Sequence, residues 1–111
     1  MKLTVTDDIA IVMTTVPDEA TGEKLARALV EAELAACVNI VPGVRSIYPW
    51  QGKLCDDREL ICLIKSRPAA LPALAARLRE LHPYEVPELL VLPPTMGSAA
   101  YVDWIKANVP T

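Results

Sequence analysis

The chain has 111 residues, enough for one domain, and carries a formal charge of −3 with no basic run. That balance gives no electrostatic support for nucleic-acid binding or for an anionic membrane surface. Hydrophobic residues make up 52% of the chain, and mean hydropathy is +0.28, high for a small domain that must leave much of its surface in water. The surplus apolar surface points to a subunit interface.

The N-terminus reads Met1-Lys2-Leu3-Thr4-Val5-Thr6-Asp7-Asp8. Acids precede any apolar run, so it is not expected to be a signal peptide, and the chain is expected in the cytoplasm. Ile9 to Val16 is apolar and β-branched and predicts a buried strand, ended by Pro17. Asp18 is a candidate helix N-cap, and Leu25, Ala28, Leu29 and Ala32 then recur at helical spacing. The helix is expected to run to about Ala35, with Gly22 as a weak spot. Ala36 to Val41 predicts a second strand. Pro42-Gly43 marks a kink or bulge, because proline removes a ladder donor.

Extended structure resumes from Arg45 to Trp50, Gln51-Gly52-Lys53 reads as a turn, and Arg58 to Lys65 predicts a third strand. Together these form a long hairpin that overshoots a small core. Tyr48 and Trp50 on it need a neighbour to pack against. Pro68 and Pro72 open a second helix with Leu71, Leu74, Leu78 and Leu81 on one face, and Pro83 stops it. Leu89 to Leu92 predicts a fourth strand. Ser98 can cap a last helix with Tyr101, Trp104 and Ile105 on one face. No stretch is long and uninterrupted enough for a transmembrane helix. The order β-α-β-β-α-β plus a terminal helix is an α+β, ferredoxin-like pattern in a single domain over residues 1–111.

The polar groups are few. Cys37, Cys55 and Cys62 are an odd number without a secretion signal, which argues against a disulfide framework. A closed zinc site would need all three plus His82, at spacings unlike standard zinc motifs. Cys37 sits in an apolar run and reads as a small core residue or as a soft ligand for copper or another thiophilic metal. Cys62 shares a face with Leu60 and Ile64 and reads as core. Cys55, beside Asp56 and Asp57, should be exposed, and the acids disfavour a thiolate nucleophile there. An odd separation places Cys55 and Cys62 on opposite strand faces.

The densest polar stretch is His82-Pro83-Tyr84-Glu85-Val86-Pro87-Glu88. Its prolines hold it extended. His82 can cap the helix before it, or serve as a ligand or proton carrier. Glu85 and Glu88 can be interface or solvated carboxylates, or can join Glu59 in an oxygen-rich cation site. Glu59 and Lys65 share one side of the third strand. Nothing matches a nucleophile elbow, a P-loop, a dinucleotide fingerprint or a metalloprotease motif, so no catalytic residue and no organic cofactor are expected.

Several motifs in one order resemble the CutA divalent-cation tolerance protein family. They are Ala36-Cys37-Val38-Asn39-Ile40 with Pro42, then Ser46-x-Tyr48-x-Trp50-x-Gly52, Glu59, Lys65, the run His82 to Glu88, and Gly97-Ser98-x-x-Tyr101-x-x-Trp104-Ile105. Where the family often has threonine after the strand-three lysine, this chain has Ser66. The resemblance implies a ferredoxin-like subunit in a tight homotrimer, with Tyr48, Trp50, Pro87, Tyr101 and Trp104 at the interface. It implies a non-enzymatic protein of divalent-cation response that binds copper or a similar ion. Cys37 is then the first ligand candidate, with His82, Glu85 and Glu59 beside it. The trimer is also similar to that of PII signalling proteins, which implies an alternative: a small anionic metabolite held between subunits by Lys65, Tyr48, Trp50, Tyr84 and Glu59. A third reading is a trimeric scaffold for a protein partner.

Overall fold

Strand and helix periods alternate along the chain, and the computed structural model, which describes residues 1–111, turns each period into an element. In chain order these are β1 (Leu3–Val5), β2 (Ala10–Val16), α1 (Glu19–Glu31), β3 (Cys37–Trp50), β4 (Lys53–Ser66), a 3-10 turn at Pro68–Ala70, α2 (Leu71–Leu81), β5 (Leu90–Leu92), β6 (Met96–Ser98) and α3 (Ala99–Asn108). The main sheet has four strands in the order β3-β4-β2-β5, and every neighbouring pair is antiparallel. Strands β2 and β3 flank β4 and are joined by α1, which is the split β-α-β arrangement of a ferredoxin-like fold.

Helix α1 starts where the Asp18 side chain accepts from the Thr21 amide at 2.8 Å, a cap that satisfies one orphan donor. The same bond holds the Asp18 carboxyl below its usual range. Gly22 is no defect in this helix. A Cβ there would lie 3.3 Å from Val16 Cγ2 and 3.6 Å from Ile40 Cγ2, so its absence lets α1 sit close on the sheet. The helix stops at Glu31, four residues before the expected Ala35. Glu33 turns to φ +57°, the Leu34 amide bonds back to Leu29 O at 3.0 Å and the Glu33 amide to Val30 O at 3.0 Å. That is a Schellman closure made without glycine, so the usual sequence signal is missing.

The hairpin is longer and more regular than its sequence suggests. β4 begins at Lys53 rather than Arg58, because Gln51 and Gly52 both take positive φ and pair Trp50 directly with Lys53. Two positive φ values in a two-residue loop match the strand twist and keep the ladder intact. The register shift between Val41 and Val44 marks the bulge expected at Pro42-Gly43. The molecule measures 47 × 25 × 21 Å, and its radius of gyration of 14.8 Å exceeds the ~13 Å of a compact domain this size. The projecting hairpin accounts for the excess.

The core lies between one sheet face and the helices. Val12, Val16, Leu60, Cys62 and Ile64 from the sheet meet Leu25, Leu29, Leu74 and Leu78 from α1 and α2. A second cluster of Ile9, Ala36, Ala70, Val102, Ile105 and Val109 seats α3. Val102 and Ile105 thus face inward while Tyr101 and Trp104 are exposed, so Ile105 does not share the aromatic face expected for it. A helical step of 300–400° separates these stripes only partly, and the aromatic pair falls on the outer one. The short β1–β6 ribbon was not expected; it pairs Leu3 with Ser98 and Val5 with Met96 across almost the whole chain.

Strand alternation leaves the other sheet face without a helix. It carries Ile11 and Met13 of β2, Ile61, Leu63 and Lys65 of β4, Cys37, Asn39 and Val41 of β3, and Leu90 and Leu92 of β5. Its apolar members are half-buried or exposed.

Candidate functional site

The candidate residues fall into three places. At the near end of the hairpin's base strands, Cys37 pairs with Lys65 across β3 and β4. Lys65 Nζ donates to Asn39 Oδ1 and stands 4.0 Å from Cys37 Sγ. Cys37 is half-buried on the helix-free face, so it is not the core residue its apolar run suggested; Val38 and Ile40, one residue off, point into the core instead. Cys62 is the buried core thiol, and burial pushes its pKa up. Cys55 lies on the opposite face of β4 from Cys62, as its odd separation requires. It is half-buried rather than exposed because Tyr48 sits directly across the ladder.

The second place is where β2 and β4 leave the core and the loop after α2 folds over them. His82 ends α2 and is 6% exposed. Its Nδ1 accepts from the Tyr84 amide at 3.2 Å, so Nε2 carries the proton and donates to Thr15 O at 2.7 Å. Both ring nitrogens are therefore engaged by backbone, and the neutral tautomer is set by these two bonds. The Tyr84 ring lies 4.7 Å from the imidazole, and its hydroxyl donates to Glu59 Oε2 at 2.7 Å. Burial, then the Glu59 hydrogen bond, raise the Tyr84 pKa well above the usual phenol value. One step out along the hairpin, the Tyr48 hydroxyl donates to Asp57 Oδ2. That bond, with burial and the Asp57 charge behind it, raises the Tyr48 pKa to about 12.

The third place is the surface. Glu85 and Glu88 are exposed, Pro87 is half-buried, and Trp50 is exposed at the hairpin tip. Tyr101 and Trp104 stack on each other at 5.7 Å with rings 20° apart, exposed on α3.

The four expected metal ligands do not converge within one chain. No three of the His, Cys, Asp and Glu side chains are placed to hold an ion. Of the four, Glu85 has no hydrogen-bond partner and Cys37 Sγ only the long Lys65 contact, whereas His82 is held through both ring nitrogens and Glu59 accepts from the Tyr84 hydroxyl. Likewise Lys65 does not join Tyr48, Tyr84 and Glu59. It lies six residues along β4 from Glu59, roughly 20 Å at strand rise, on Asn39. The resemblance grouped Tyr48, Tyr84 and Glu59 in one pocket, but the hydrogen bonds that pair Tyr84 with Glu59, 25 residues away, and Tyr48 with Asp57 were not legible in the sequence.

Fold and site together define a ferredoxin-like α+β chain with an overlong hairpin and an uncovered apolar sheet face. Residues 10–108 match the family described as CutA1 divalent ion tolerance protein. A divalent-cation tolerance protein CutA of Thermus thermophilus is 50% identical over 88% of this chain and 95% of its own length. Among solved structures, CutA from Synechococcus elongatus PCC7942 superposes with a TM-score of 0.93 at 42% identity, covering 97% of this chain and 96% of that one. A CutA from Archaeoglobus fulgidus, described as a periplasmic divalent cation tolerance protein, has a TM-score of 0.88 at 30% identity, covering 91% and 98%. The chain belongs to the CutA1 divalent ion tolerance family.

Proposed function

We propose that this chain is a non-enzymatic divalent-cation response protein that works as a homotrimer and binds copper or a similar ion between its subunits. The helix-free sheet face carries the reading. Ile11, Met13, Ile61, Leu63, Val41, Leu90 and Leu92 form one apolar surface too continuous for a monomer in water. Burying such faces against one another, with the hairpin laid over a neighbour, removes that surface from solvent. Tyr48, Trp50, Pro87, Tyr101 and Trp104 are then the interface residues outside the sheet.

The half-buried Cys37 thiol lies on that same face, so assembly brings further donors to it. Thiolate is a good ligand for copper, and Glu85 is a free carboxylate in reach of solvent. His82 and Glu59 complete the set only if metal binding breaks their present hydrogen bonds. The proposed compartment is the cytosol, which suits three free thiols; no helix is long and apolar enough to cross a membrane.

Equilibrium dialysis of the reduced protein against copper, zinc and cobalt tests the metal claim. Saturable uptake at a whole number per chain or per trimer, reduced in Cys37→Ala, supports it. Uptake that never saturates, or that is the same in Cys37→Ala and His82→Ala, removes these ligands from the account.

A further inference from the structure

We draw no further inference here: the strongest candidate, the hairpin face that continues the helix side of the sheet, where Ile47 and Leu54 stand exposed beyond the opposed Arg45 and Arg58, is an unpartnered apolar surface, and nothing in the structure shows what covers it.

Discussion

His82 offers the sharpest separation between a structural and a ligand role. Its ring ties two segments that are far apart in the chain, the end of β2 through Thr15 O and the loop through the Tyr84 amide. Replacing it by alanine leaves the Thr15 carbonyl without this partner in a buried setting, at about 1–3 kcal/mol for such a group. The Tyr84 amide is half-buried and can turn to water, so its loss adds less. Deleting a nearly buried ring also leaves a void beneath Tyr84. A total near 2–3 kcal/mol follows, or a fall in Tm of roughly 10–20 °C for a domain of this size. The assay is urea or thermal unfolding of metal-free protein, wild type and His82→Ala compared at equal protomer concentration because assembly shifts the midpoint. A loss smaller than about 0.5 kcal/mol without metal would refute the structural role and leave His82 free to act as a ligand.

Other outcomes follow from the same geometry. Leu29→Ala, at a fully buried position of α1, should cost about 2–5 kcal/mol in equilibrium unfolding, and an effect under 1 would mean the core is elsewhere. Tyr48 should ionise near pH 12, and Asp57→Asn should bring it down toward the ordinary phenol value; ultraviolet difference titration reads both. Because its folded pKa lies above the unfolded one, its contribution to stability is complete below about pH 10 and is lost as pH rises through 12. A Tyr48 that titrates near pH 10 in the wild type would deny the Asp57 bond. Gly52→Ala forces a side chain to φ +77° at the hairpin turn and should cost about 1 kcal/mol, whereas Gly52→Asn should cost less. Equal stabilities would mean the turn is not of this type.

The fold was readable wherever periodicity and turn chemistry were explicit. The apolar runs in Ile9–Val16 and Arg58–Lys65, the N-cap at Asp18 and the leucine spacing of α2 each appear as expected elements. What failed to show in the sequence was long-range or compensated. The β1–β6 ribbon joins residues more than ninety positions apart. The early end of α1 rests on a left-handed glutamate, and sequence signals favour glycine there. Of the two readings open for Cys37, core residue or soft ligand, the core one fails because strand phase, one residue either way, decides which face an apolar run presents. In the site, residue types were visible but not their pairing. Nothing local says that Tyr84 reaches Glu59, or that both nitrogens of His82 are taken by backbone.

In the proposed assembly three of these faces close on one another and hold a metal ion. Native mass spectrometry of the reduced protein, equilibrated with copper and then desalted, reads both at once. The expected species is about 36 kDa, three chains of 12.1 kDa, retaining a whole number of copper ions that falls in Cys37→Ala. A single-chain mass would contradict the assembly, and a trimer stripped of copper as readily as its Cys37→Ala variant would contradict the metal site.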